Sequence, residues 1–411
     1  MDRFSIKRLA LVGVVFIFNG VLVLRTPVVF FRFLFWFFMV SVLIDAVGLA
    51  VTRYGMRVTV KRRHPGRVDE GDRIEIEIEI ENTGAAPVFN TVIEDCISCA
   101  PEAQRIQRAE VDYLPSGYPM VVRWRCACEA RGRYALGPCR LYYSDFFGLF
   151  TFSKILPDTE SQIYVYPRIF RINKFPPMMK GTAPWFGIGA SRSSGGDDEF
   201  FGVRDYRSGD PVKSIHWIST ARRNKLIVRE FQQQNFFRAT ILFNMSGESN
   251  LGEGRESVAE YIARIAASVS KHLLDNDIAV EVIAHTQEIV HIPSNKGAEH
   301  LEEILKFLTV AQPESNVSLA EIFREFMRFI PDDSNLIVIM LDRDWDVFLT
   351  YATAGRRNVS LVPLILLSSS FVTGYERKET LLRAKVKFAE HGDISPLVFS
   401  AGEDLERNFS A

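Results

Sequence analysis

The pattern of apolar and polar positions changes rhythm along the chain, and each rhythm predicts a different kind of structure. The opening stretch is almost continuously apolar, from Leu9 to Leu24 and again from Val28 to Val51. Runs of roughly 16 and roughly 24 residues bracket the ~20 that a transmembrane helix needs. Ile6 and the snorkelling stems of Lys7 and Arg8 extend the shorter one. Arg25-Thr26-Pro27 separates the runs, because proline cannot continue a helix. The pattern therefore predicts a hairpin of two membrane spans over residues 1–54. A cleaved signal peptide is the rival reading of the first run, but no small-residue cleavage site follows it and a second apolar run does.

The period then falls to two. From Ile74 to Glu81 isoleucine and glutamate alternate without a break, which predicts a strand with one buried face and one solvated face. Asn82-Thr83-Gly84 turns the chain, and short strands are expected over Val88–Ile93, Met120–Cys126, Arg133–Tyr143 and Ile163–Tyr166. Together they predict an antiparallel β-sandwich over residues 55–167. Beyond Phe237 apolar runs alternate with helical periodicity. Strands are expected at Ala239–Phe243, Ile278–Ala284, Leu336–Leu341 and Val359–Leu367. Helices are expected at Arg255–Leu274, Ala298–Leu308 and Leu319–Phe329. Alternating strands and helices call for a parallel sheet covered on both faces, so residues 237–411 read as a doubly wound α/β domain. Residues 168–236 form the segment between. The fold class is a multidomain α+β chain behind a membrane anchor.

Charge refines the anchor. Arg3, Lys7 and Arg8 precede the first run, and Arg53, Arg57, Lys61, Arg62 and Arg63 follow the second, against Arg25 and nearby Arg32 at the hairpin. The positive-inside rule then places both termini and the bulk of the chain in the cytoplasm, at the inner membrane. Asp45 lies within the second run, and an ionisable group in lipid is a functional candidate by default, although it is near enough to the inner end to reach water. Lys+Arg 49 against Asp+Glu 50 leaves a net charge of −1, with no bulk attraction to nucleic acid. The basic cluster from Arg57 to Arg67 sits beside the membrane and suits anionic lipid. Cys96, Cys99, Cys126, Cys128 and Cys139 all fall in the sandwich. A four-thiolate zinc site is conceivable from the first four, but residues two apart on a strand diverge, and ordinary packing is the simpler reading.

The most distinctive stretch runs from Gly195 to Phe231. It contains Glu199-Phe200, then Arg204-Asp205-Tyr206-Arg207-Ser208-Gly209-Asp210, Ile215-His216-Trp217, Ala221-Arg222 and Arg229-Glu230-Phe231. Alternating Arg and Asp beside Tyr206 and Trp217 suit a partly buried ion-pair network, since guanidinium pairs carboxylate bidentately. These residues resemble the signature of the domain of unknown function 58 family. Arg131-Gly132-Arg133-Tyr134 and Asp145-Phe146-Phe147-Gly148 resemble its upstream pattern. His216 and Ile218 depart from it, where the family more often carries Asp and Lys. His216 as a general base lacks a nucleophile or pocket in the sequence. The Gly/Ser-rich stretch Gly187–Gly196 lacks the Gly-Lys-Ser/Thr ending of a phosphate loop and reads as a linker.

In a doubly wound sheet, ligands bind beyond the carboxyl ends of the strands. Asn244-Met245-Ser246-Gly247-Glu248, Ser318 and Asp342 all fall there. Their order is similar to the metal-ion-dependent adhesion site of von Willebrand factor type A domains. There an Asp-x-Ser-x-Ser loop, a Thr and a later Asp surround a divalent cation. The resemblance implies a degenerate site of Asn244, Ser246, Glu248, Ser318 and Asp342, with Mg2+ as the cation it would take. Hard oxygen ligands are what magnesium requires, and Asn244 keeps an oxygen while losing the charge. The expected function is a membrane-anchored, non-enzymatic scaffold or adaptor for protein–protein interaction. Family resemblance implies a MoxR-type AAA+ ATPase as partner, in protein assembly or maturation. The alternative is a membrane-bound metal-dependent hydrolase using the same strand ends.

Overall fold

The computed structural model describes residues 3–25, 28–145, 151–178, 200–207, 215–231, 238–327, 330, 334–344, 346–347, 351, 359–372 and 396–409. They divide into two compact units, Met1–Tyr166 and Pro167–Ala411.

The first unit begins with helices α1 (Arg3–Arg25) and α2 (Val29–Gly55). They pack against each other through Phe16 and Phe35, whose ring centroids are 4.8 Å apart. Among the described residues α2 is the one helix long and apolar enough to cross a membrane, and the apolar part of α1, Val12–Arg25, is shorter. Next come β1 (Val58–Arg63), β2 (Val68–Asp69), β3 (Arg73–Asn82), β4 (Val88–Cys96) and β5 (Ile106–Leu114). They are followed by β6 (Pro119–Ala127), β7 (Gly132–Leu136), β8 (Arg140–Ser144), β9 (Thr151–Ile155) and β10 (Ser161–Tyr166). The sheets are ordered β1-β3-β6, β2-β10-β7 and β5-β4-β8-β9. On β3 the alternation works as the pattern requires. Ile74, Ile76, Ile78 and Ile80 enter the core, while Glu75 and Glu77 face Arg123 and Arg125 of β6.

One expected strand, Arg133–Tyr143, is really two in different sheets. Gly137, at φ +89°, and Pro138 break it, and a Cβ at Gly137 would meet the Thr159 carbonyl at 2.6 Å. Strands β5 and β9 carry mixed surfaces without a clean period, so the pattern misses them. The five cysteines are free thiols, four of them buried. Cys99 and Cys128 lie 3.3 Å apart. Among the described residues no three His, Cys, Asp or Glu side chains are placed to hold a metal ion. Arg62 and Asp95 form a buried pair at 2.5 Å, with side chains 4% and 0% exposed. Burial pushes the Asp95 carboxyl above its ordinary range, opposed by the charge of Arg62. The Cys139 thiol beside it, 3.3 Å from Asp95, is pushed up to about 12, chiefly by burial.

The second unit opens with β11 (Phe200–Asp205), α3 (Trp217–Arg223) and β12 (Ile227–Phe231). It continues through β13 (Arg238–Asn244), α4 (Val258–Asp275), β14 (Ala279–His285), β15 (Ile289–Asn295), α5 (Ala298–Val310) and α6 (Leu319–Phe326). The last elements are β16 (Ser334–Leu341), β17 (Val359–Leu366), α7 (Ser368–Phe371), β18 (Leu397–Phe399) and α8 (Leu405–Asn408). Six strands lie in the order β15-β14-β13-β16-β17-β18. All neighbours pair in parallel except β15, which is antiparallel on β14. The sheet is doubly wound, and every residue of β14 and β16 is buried, as strands covered on both faces require. After β13 the chain builds outward to β15, then returns to place β16 on the other flank of β13. That reversal opens a crevice at the carboxyl ends of β13 and β16.

Candidate functional site

A cavity of about 220 Å³ occupies this crevice. Its lining includes Asn244, Ser246, Glu248, Ser318 and Asp344. Asn244 ends β13 and its side-chain amide donates to the Val317 carbonyl at 2.6 Å. Its Oδ1 is buried and has no hydrogen-bond partner among the described residues. A buried acceptor left unsatisfied costs about 1–3 kcal/mol, which a bound donor would recover. Beside it, the Ser315 N–H donates to the Met245 carbonyl at 3.0 Å, tying the loop after β13 to the one before α6.

Ser318 caps α6. Its Oγ accepts from the Glu321 N–H at 3.3 Å, and the Glu321 carboxylate accepts from the Ser318 N–H at 3.2 Å. This reciprocal pair satisfies two of the open donors at a helix start. Asp344 follows β16, and its Oδ2 accepts from the Leu341 N–H at 2.9 Å. Burial raises its carboxyl above the ordinary value of 3.8, against the lowering effects of that N–H and of Arg343. Arg343 in turn donates to the Glu248 carbonyl at 3.1 Å, closing one rim.

The structure thus gathers four of the five expected residues, Asn244, Ser246, Glu248 and Ser318, around one cavity. Asp342 differs. It points to Ser368, whose N–H and hydroxyl donate to its Oδ1 at 3.2 and 2.5 Å. Asp344, two residues further on, lines the cavity in its place. Sequence order alone gave no reason to prefer it, because the turn after β16 decides which carboxylate faces the crevice. As a magnesium site the residues fit poorly. Ser318 already accepts the capping bond, Asp342 is held by Ser368, and no trio of carboxylate, imidazole or thiolate groups converges among the described residues.

The signature segment forms a small antiparallel ribbon of β11 and β12, with Arg204 opposite Val228 and Asp205 opposite Ile227. Tyr206 N–H donates to the Leu226 carbonyl at 2.9 Å, and His216 N–H donates to the Ile227 carbonyl at 2.8 Å. Arg204 and Tyr206 are half-buried. Trp217 stands 63% exposed, and Asp205, Arg207 and Arg222 are also exposed. Ile215, Ile227 and Val228 take the buried positions instead, which turns the outer face of α3 to solvent. His216 Nδ1 lies 2.7 Å from the Ser219 hydroxyl, a local bond within the first turn of α3. Gly209, Asp210 and the Gly187–Gly196 stretch lie outside the described residues.

Among solved structures, the chain is similar to the CARDB domain of a Pyrococcus furiosus protein. That match has 15% identity and a TM-score of 0.20 over 27% of this chain and 93% of that one. A Listeria innocua β-glucosidase in complex with glucose matches with 9% identity and a TM-score of 0.17, over 27% of this chain and 16% of that one. Scores this low carry no argument about fold or chemistry. Among curated proteins, it is similar to the uncharacterized protein YeaD of Bacillus subtilis (strain 168). The two are 21% identical over 264 residues, a match that spans 62% of each chain. Residues 202–364, which run from the signature ribbon through β17, match the family model described as Protein of unknown function DUF58.

Proposed function

We propose that the chain is a membrane-tethered, non-enzymatic scaffold that grips a partner protein at the crevice of a von Willebrand type A-like domain. The observation that carries this reading is the cavity at the switch point, where Asn244 Oδ1 is buried without a partner and Asp344 is desolvated. Both groups are acceptors, so the complementary ligand is a donor-rich side chain, Lys or Arg, presented by another protein. The doubly wound sheet with its crevice at the strand ends supports the domain assignment. A second span formed by α1 and an inner-membrane, cytoplasm-facing orientation follow from the charge flanking both runs. This reading requires no resident cation, because the oxygens of Ser318 and Asp342 are already engaged by the cap of α6 and by Ser368. The family resemblance names a MoxR-type AAA+ ATPase as the partner, with a role in assembling or maturing other proteins.

The test uses full-length protein in detergent and a purified MoxR-type ATPase in a binding assay. Wild type should bind, and Asp344→Asn and Asn244→Leu should each weaken binding at least tenfold, while chelation in nucleotide-free buffer leaves it unchanged. Binding that ignores both variants would move the interface off the crevice. Dependence on magnesium that Asp344→Asn abolishes would reinstate the cation.

A further inference from the structure

Phe89 and Tyr113 break the rule by which β4 and β5 fill the core. Along β4, Asp95, Ile93 and Thr91 are buried at alternate positions, a rhythm that would bury Phe89 next. Asn90 intervenes at φ +48°, in the left-handed region that asparagine tolerates. Its side-chain amide donates to the Asp145 carbonyl at 3.3 Å. The alternation reverses there: Val88 and its cross-strand partner Leu114 enter the core, and Phe89 turns outward opposite Tyr113. The two rings sit side by side, centroids 5.2 Å apart, and are 38% and 49% exposed. Single apolar side chains at a surface need no explanation, but adjoining rings mark a place of contact.

The pair lies beside the last turns of α2. Phe89 and Asp145 line a cavity of about 400 Å³ whose helical wall includes Asp45, Gly48, Leu49 and Thr52. Leu49 packs against the sandwich core, and Met56, directly after the helix, is part of that core. A Cβ on Gly84 would collide with the Gly55 carbonyl, so the turn after β3 also seats on the helix end. The sandwich is thus joined to α2 without a linker, and the helix sets its height. Counted from Val29, about 20 residues at roughly 1.5 Å each fill the ~30 Å of hydrocarbon and end near Gly48. Roughly 5–7 Å of headgroup layer then takes the helix to about Thr52. Phe89, across the cavity from Gly48, Leu49 and Thr52, therefore stands with Tyr113 at the level where headgroups meet their chains.

We propose that Phe89 and Tyr113 dock into the phospholipid interface, so that the sandwich rests on the bilayer beside its own span. Continuity selects the bilayer as the occupant. Val47 and Val51 carry the exposed apolar surface of α2 to the same level, and the two rings extend that surface onto the sandwich. Phe89 offers only an apolar ring, whereas the Tyr113 phenol keeps a hydroxyl for water and phosphate oxygens. Rings with an apolar body and a polar tip concentrate at membrane interfaces for this reason. The inference goes beyond the scaffold reading and rests on α2 crossing a membrane, not on the crevice of the second unit.

The test reconstitutes full-length protein in phosphatidylcholine vesicles doped with phosphatidylcholine that carries a diazirine near the top of one acyl chain. After illumination, lipid adducts are mapped by tandem mass spectrometry. Phe89 and Tyr113 should each carry at least fivefold more adduct than Ile106. That residue is 57% exposed at the other end of β5, about 23 Å from Tyr113 along the strand. Adducts on α2 are the internal reference. Labelled α2 with unlabelled Phe89 and Tyr113 would overturn the proposal while leaving the span intact, and would mean that water or protein covers the rings. Labelling of Ile106 equal to that of the pair would overturn it as well. A helix α2 without adducts would remove the span itself, and the proposal with it. The comparison uses wild type alone, so no substitution can disturb folding and blur the outcome.

Discussion

Strand β3 and the crevice beside β13 treat polar groups in opposite ways. On β3 every glutamate side chain faces outward, half-buried or exposed, and every isoleucine inward, so the strand keeps its charges in contact with water. At the crevice, an amide oxygen is buried without a partner and a carboxylate is buried deeply enough to raise its pKa. Such costs persist in a folded protein when something else recovers them. The contrast separates a strand that keeps its charges at the surface from a crevice that buries an amide oxygen and a carboxylate. The Arg62–Asp95 pair is the instructive intermediate. It is as buried as anything in the crevice, and although its charges pair and Ser161 and Cys139 add contacts to Arg62, Arg62 Nε and Asp95 Oδ2 find no hydrogen-bond partner among the described residues.

The comparison can be broken most forcefully at that pair. Arg62→Met strands Asp95 in the core and should lower stability by about 3–5 kcal/mol, read as the loss of hydrogen-exchange protection on β1 and β3. Ile78→Ala removes a fully buried side chain and should cost about 2–5 kcal/mol, whereas Glu77→Gln on the opposite face should leave the denaturation midpoint within error. A large effect at Glu77 would mean that the charged face of β3 is not merely solvated. Ser318→Ala deletes the cap of α6 and should cost about 0.5–2 kcal/mol. It should also weaken partner binding, because the cap orients the wall of the crevice.

The smallest effect is a pH slope. The Asp344 carboxyl has a raised folded value, so its neutral form favours folding. That contribution is fully present below the ordinary value of 3.8 and is lost as pH rises through the higher folded value. Asp344→Asn should flatten this part of the stability profile in urea titrations across the acid range. An unchanged profile would show that Asp344 is solvated and would weaken the case for the crevice.

Much of the architecture was legible because periodicity is a direct imprint of burial. Isoleucine–glutamate alternation marks a one-faced strand, and the apolar runs at Ala239–Phe243 and Leu336–Leu341, too short for a buried helix, mark strands covered on both sides. Their expected limits differ from the observed ones by a residue or two, as ends fray. Antiparallel β15 was missed because an edge strand with exposed Ile289, Pro293 and Asn295 lacks the apolar run of its neighbours. Alternating arginine and aspartate suited a partly buried network, and Arg204 and Tyr206 are half-buried, while Trp217 stands outside and the fully buried side chains are the aliphatic Ile215, Ile227 and Val228.

Local pattern by itself determined which segments are apolar helix, alternating strand or buried strand, since each reflects an environment repeated over many residues. It also placed Asn244, Ser246 and Glu248 at a strand end, where ligands gather. Only the tertiary structure decided that Asp344 and not Asp342 faces the crevice, because a single turn after β16 rotates one carboxylate to Ser368 and the other to the cavity. The meeting of Asp45 with Asp145 was likewise invisible in the chain. Residues a hundred positions apart carry no mutual periodicity, and only packing of the helix against the sandwich brings their charges to one pocket.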